Sequence, residues 1–383
     1  MKRTILTLLG LMTAATFADA APAKKIQPKF SWDTVQVCIH LAKDTDDFTE
    51  EEAKFIARFP MVCLEKSQGR KKHKGLEKGA PAAAQQIKKY NKDIVALFYF
   101  NSRIDYGHLY LDKGLFAGGN NKELAMTDAK GNLVEVRGNK TYDLSNPKTR
   151  SWWLSQANKF SNYDGMDGIF IDATIQFMAN QAAQEKKNGE AKQKAVVAGL
   201  KEMMGTYYKE NPTKYVIANA VRSIPKALPD LGVGLYEYLD GSMMEHFATK
   251  SCADKDAIVS DIALIADAAK RGKSIVVKAW PDFTESKFAH TLEGKTKEQA
   301  SKEQIVFPLA AFLAGAGEKA YFCYSWWYGH DEGGLIDYPE YSKPLGKPLG
   351  DAVKNGYVYT RKFQHADIWV DVENRKAKIN WKK

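Results

Sequence analysis

Asp172 closes an apolar run, Ile169-Phe170-Ile171, that the turn pair Asp167-Gly168 opens. A short apolar run bounded by turn signals reads as a buried parallel strand. In a (β/α)8 barrel the C-terminal end of such a strand presents the reacting side chains. Asp172 then stands at the mouth of an active site, where a carboxyl group can carry a proton or attack an electrophile. Asp167 lies about 16 Å further back along an extended strand and does turn work. Other apolar runs also end in polar or aromatic residues. His40 and Glu65 end the first two, and Asn101, Arg103 and Asp105 follow the third. Asn219 and Arg222 follow the fifth, Glu245 closes the sixth, Trp280 ends the seventh, and Trp326 and Trp327 follow the eighth. We take these as candidate substrate-binding residues, with Glu245 the second catalytic candidate. Amides, carboxylates and guanidinium groups suit hydroxyl-rich ligands, and Trp suits their apolar faces. No G-x-S-x-G elbow or H-E-x-x-H pair occurs. No metal and no cofactor is expected.

The elements that would hold these residues alternate regularly. Strand-like runs occupy 34–40, 61–65, 94–102, 168–173, 215–220, 239–245, 274–280 and 320–327. Helix-composed stretches lie between them. Eight such units predict a parallel (β/α)8 TIM barrel over residues 30–345, of class α/β. An open doubly wound sheet would want a glycine-rich turn after its first strand, and Leu41-Ala42-Lys43-Asp44 has no glycine. The longest inserts, 103–146 and 174–191, follow strands three and four, where loops build the binding cleft. Trp152 and Trp153 fall in a helical stretch and are expected to pack. Residues 346–383 alternate apolar with polar residues, as in Ile368, Val370 and Val372 and then Ala377, Ile379 and Trp381, and predict a small C-terminal β-hairpin element.

Composition narrows the class. The chain has 383 residues, 44% hydrophobic and 11% aromatic, so it is globular, and a barrel plus a small appendage fills it. Residues 1–20 read as a signal peptide: Lys2 and Arg3, an apolar stretch, then Ala18-Asp19-Ala20. A periplasmic or secreted protein is expected, with no membrane insertion. Cys38, Cys63, Cys252 and Cys323 include no close pair. Buried free thiols are the default reading, and export leaves a Cys38–Cys323 disulfide open. The formal charge of +10 fits a solvated basic surface or an anionic polysaccharide partner. No nucleic-acid motif accompanies the charge, so no nucleic acid is expected.

Tyr142-Asp143-Leu144-Ser145-Asn146-Pro147 leads into Trp152-Trp153, and Gly165-Met166-Asp167-Gly168-Ile169-Phe170-Ile171-Asp172 follows. This combination resembles a recurring stretch of barrel glycosidases, with its G-x-D-G-x-x-x-D strand. The whole chain is similar to a hypothetical glycosidase-like barrel family of bacteria. The resemblance implies cleavage of O-glycosidic bonds in a poly- or oligosaccharide, with Asp172 as one catalytic carboxylate. Hydrolysis of this kind takes two carboxyl groups, one of them a proton donor with a raised pKa. Glu245 is the chosen partner and Glu237 its rival. Chitinase-like versions of the motif end in Glu two residues later, and Thr174 stands there instead. A polysaccharide lyase using Arg103, Arg222 and Lys278, or a non-catalytic glycan-binding barrel, remains an alternative. Anomer, linkage, roles within the pair and oligomeric state stay open.

Overall fold

The computed structural model describes residues 24–223, 228, 230–249 and 252–382. The expected signal peptide lies outside them. Eight parallel strands follow one another around a single sheet: β1 Cys38–Leu41, β2 Met61–Leu64, β3 Val95–Asn101, β4 Gly168–Asp172, β5 Tyr215–Ala218, β6 Gly241–Phe247, β7 Ser274–Ala279 and β8 Ala320–Tyr324. A parallel bridge between Val37 and Phe322 joins the first strand to the last, and the Phe322 amide donates to the Gln36 carbonyl at 2.8 Å. The chain is therefore a closed (β/α)8 barrel, as its alternating pattern predicts.

Side chains on a strand point alternately to its two faces. On β3, Ala96, Phe98 and Phe100 join the outer core against the helices, while Val95, Leu97 and Tyr99 fill the barrel with Cys38, Cys63, Phe170, Ile217, Met243, Val276 and Cys323. Two residues further on, each strand or its immediate extension carries a polar residue on the same inward side: His40, Glu65, Asn101, Asp172, Asn219, Glu245, Lys278 and Ser325. The barrel is thus apolar through its middle and polar at its C-terminal mouth.

The opposite end shows why the Asp-Gly pairs are there. Asp167 accepts the Ala96 amide at 2.9 Å, and Asp240 accepts the Val216 amide at 2.8 Å. Each carboxylate ties the start of its own strand to the preceding neighbour. The glycines allow close approach of the next strand. A Cβ on Gly168 would lie 1.8 Å from the Tyr215 carbonyl oxygen, and one on Gly241 2.5 Å from that of Ser274.

The alternating C-terminal segment forms the expected hairpin, β11 Ala366–Asp371 with β12 Lys376–Trp381, as half of a four-stranded antiparallel sheet. Strands β9 Val353–Asn355 and β10 Val358–Lys362 complete it. Their Lys, Thr and Arg residues obscure the alternation. Arg361 fastens the sheet to the barrel by donating to the Leu313 and Ala316 carbonyls at the end of helix Val306–Gly315. All four cysteines are buried and free, so Cys38 and Cys323 are not bridged. Among the described residues, no helix is long and apolar enough to cross a membrane.

Candidate active site

A cleft of about 630 Å³ opens at the C-terminal mouth of the barrel. Glu65, Asn101, Asp172 and Glu245 line it from the strand ends, with Lys66, Tyr99, Tyr328 and Trp327 around them. The hairpin Glu135–Val136/Asn139–Lys140, inside the long insert after β3, places Val136 and Arg137 at its edge.

Asp172 accepts four hydrogen bonds. Tyr99 Oη at 2.5 Å and Asn101 Nδ2 at 3.0 Å reach Oδ2. The Ala173 amide at 2.6 Å and Asn219 Nδ2 at 3.1 Å reach Oδ1. Register explains the first pair: Asn101 lies beside Asp172 and Tyr99 beside Phe170. A carboxylate offers about four lone-pair positions, and these four donors fill them.

Glu245 receives Asn219 Nδ2 on Oε2 at 2.6 Å and Tyr328 Oη on Oε1 at 2.8 Å. One amide nitrogen therefore joins both carboxylates. With legs of 3.1 and 2.6 Å, the two bonded oxygens are at most about 5.7 Å apart. Thr174, which occupies the chitinase-type Glu position, holds the Asn219 carbonyl from its hydroxyl at 2.5 Å.

Both candidates sit beside backbone held in a costly conformation. Ala173 and His246, the residues after Asp172 and Glu245, have φ of 67° and 63°. The left-handed region costs a non-glycine residue roughly 1–2 kcal/mol. The ladder between β6 and β7 is irregular from Met244 to Phe247, so the strand bulges where Glu245 projects. Strain and bulges that re-aim a side chain concentrate at functional sites.

Burial and the charge of Glu245 push the Asp172 carboxyl above the usual carboxylate range, against the Tyr99 hydrogen bond. Burial pushes Glu245 up too, but the positive charges of His246, Arg222 and His40 outweigh it and leave Glu245 below that range. Imidazoles lend that charge only while protonated. The two carboxyl groups titrate as a pair, and its first proton belongs to both. Glu65 lies just behind them. Burial opposes its ionisation, yet the Lys66 ammonium and the His40 ring, at 3.1 Å, hold it down to about 2.

The remaining expected residues divide by depth. Asn219 joins the pair, and Arg222 lies 3.9 Å from Glu245 Oε2. His40 is buried and acts on Glu65. Arg103 bonds Gln176 at 2.9 Å beside the cleft. Trp327 is 50% exposed at the mouth. Two expectations need correction. Asp105 is buried in the long insert, where it accepts the Phe116 amide at 3.0 Å and Tyr142 Oη at 3.2 Å, and so anchors that loop instead of facing the cleft. Trp280 is 1% exposed, packed against His246, Trp327 and Tyr328, so it supports the wall from behind. Trp326 likewise packs on Phe283 and Gly333. Trp153 is buried as expected, and its Nε1 fixes the Asn101 carbonyl at 3.0 Å.

Residues 88–367 match hypothetical glycosyl hydrolase family 15. The chain belongs to that family. Among solved structures it is similar to the glycoside hydrolase domain of PelA from Pseudomonas aeruginosa, at 14% identity over 64% of this chain and 84% of that one, TM-score 0.44. It is also similar to the alpha-amylase of Geobacillus thermoleovorans, at 12% identity over 89% and 87%, TM-score 0.49. A third is the maltogenic alpha-amylase AmyB of Thermotoga neapolitana, at 11% identity over 91% and 94%, TM-score 0.49. No curated protein matches the sequence.

Within this family member, sequence reasoning missed Tyr99, Lys66 and Tyr328. Tyr99 lies inside an apolar run and reads as core, though its inward position two residues before Asn101 was a usable signal. Lys66 and Tyr328 lie just beyond the strand ends, where only loop geometry decides which way a side chain turns.

Proposed function

We propose that the protein is a retaining glycoside hydrolase acting on an oligo- or polysaccharide, with Asp172 and Glu245 as its carboxyl pair. The observation that carries this reading is the Asn219 amide shared between them. It keeps their facing oxygens within the roughly 5–5.5 Å spacing of retaining enzymes and short of the roughly 6.5–9.5 Å that admits an inverting water.

Asp172 is the nucleophile. Its donors fix a carboxylate, and Tyr99 and Asn101, which line the cleft, mark Oδ2 as the oxygen nearest the substrate. Burial keeps that anion poorly solvated and hence reactive. Glu245, with only two donors, has room for a proton. It protonates the leaving glycosidic oxygen while Asp172 bonds to the anomeric carbon. The glycosyl-enzyme neutralises Asp172. Glu245, now a carboxylate favoured by its positive neighbours, takes a proton from the water that attacks the same carbon and frees Asp172. The apparent signal at residues 1–20 supports a periplasmic or secreted site of action. The cleft itself mixes Lys66, Lys71 and Arg137 with Asp44, Glu65, Asp331 and Glu332, so the chain's positive surplus is not focused there. This favours an uncharged glycan over an anionic one.

The test is a screen of polysaccharides with the wild type beside Asp172→Asn and Glu245→Gln, followed by proton NMR of the first product formed. Both variants should lose about three powers of ten or more in kcat, and the product should keep the anomeric configuration of the substrate. Full activity in both variants, or an inverted product, rejects the assignment.

A further inference from the structure

Lys66 holds a position that the reaction scheme leaves unused. Its ammonium lies 5.2 Å from the centre of the Tyr99 ring and 5.1 Å from that of Tyr328, within cation–π range of both. Tyr99 donates its hydroxyl to Asp172 and Tyr328 donates its own to Glu245. The cation is thus centred between the two rings that orient the pair. It is fixed there by Glu65 Oε1, and the Glu65 carboxylate is itself fixed by His40. An ammonium has three donors. Glu65 is its one hydrogen-bond acceptor among the described residues, while its side chain remains 35% exposed and lines the cleft. A structural lysine would be expected to spend its donors inside the protein. This one is immobilised by an anion and two rings, with N–H groups left for whatever enters between them.

Resting on the glycosidase reading, we propose that Lys66 is a specificity-determining residue for the sugar ring held at the carboxyl pair. It donates to a sugar oxygen or an acetamido carbonyl at one ring position. Its fixed charge excludes a free-amine sugar that would place an ammonium there. The substrate class is a hydroxylic or N-acetylated glycan, as opposed to its deacetylated counterpart.

The experiment is equilibrium binding to an array of neutral, N-acetylated, free-amine and uronate oligosaccharides. The full chain carries Asp172→Asn to prevent turnover, alone or with Lys66→Met or Lys66→Arg. The Asp172→Asn protein should bind at least one neutral or N-acetylated glycan, and bind its free-amine analogue more weakly. Lys66→Met should weaken the preferred glycan by about 10–100-fold, the worth of a hydrogen bond from a charged donor. It should also shrink the preference over the amine. Lys66→Arg should restore part of both. Loss of affinity with the preference unchanged would mean a packing role. That result, unchanged affinity, a preference for the free amine, or binding of no neutral or N-acetylated glycan overturns the proposal. Residual hydrolysis by Asp172→Asn would refute the catalytic pair instead, and is read separately from these affinities.

Discussion

Replacing Asn219 by Ala isolates the bond that organises the site. Its Nδ2 contacts Asp172 Oδ1 at 3.1 Å and Glu245 Oε2 at 2.6 Å. The substitution leaves Asp172 with three donors and Glu245 with Tyr328 alone. A hydrogen bond to a charged group contributes about 1.5–3 kcal/mol. Losing two from one nitrogen, with partial relaxation, should cost about 3 kcal/mol of transition-state stabilisation, or roughly two powers of ten in kcat/KM. The loss should fall on kcat, since the amide touches the reacting groups from behind and does not line the cleft. Each donor favoured the ionised form, so its removal raises the carboxyl pKa values and moves the acid limb of the pH profile upward. Asn219→Asp should be worse, because it sets a third negative charge between the two. Steady-state kinetics across pH on the polysaccharide found by screening measure all of this, with thermal melting to confirm folding. An Asn219→Ala enzyme within threefold of wild type, with an unmoved acid limb, would refute the shared-amide account.

Two further outcomes concern stability. Glu65 has its carboxyl lowered from 4.5 to about 2, so its ion pairing stabilises the fold fully above pH 4.5 and that contribution fades as pH falls through 2. By linkage it amounts to about 3 kcal/mol. Glu65→Gln should lower stability at pH 7 and flatten the pH dependence between 4.5 and 2, as read by chemical denaturation; an unchanged slope would remove Glu65 from the account. Gly168→Ala places a Cβ at 1.8 Å from a backbone oxygen, so β4 must shift away from β5. A loss of about 2–4 kcal/mol is expected in urea melts, whereas a wild-type midpoint would show that the strands yield without cost.

The sequence by itself determined the barrel and the ring of residues at its mouth. Burial on both faces makes each strand a short apolar run, and period-two alternation means that a polar residue two places beyond an inward apolar one must face the opening. His40, Glu65, Asn101, Asp172, Asn219 and Glu245 are legible on that rule alone. So are the Asp-Gly pairs at the far end, because a strand start that takes a neighbour's amide and a close backbone approach requires those two residue types. Tertiary structure decided what lies beyond the strand ends, where no period operates. Asp105 and Trp280 carry suitable chemistry yet turn inward to hold the insert and the wall. Lys66 and Tyr328 turn toward the cleft. The left-handed Ala173 and His246 and the bulge in β6 have no signature in residue type, since they are imposed by the surrounding packing. The Asn219 amide depends on three strands meeting at one height, a matter of register and shear that no local pattern encodes.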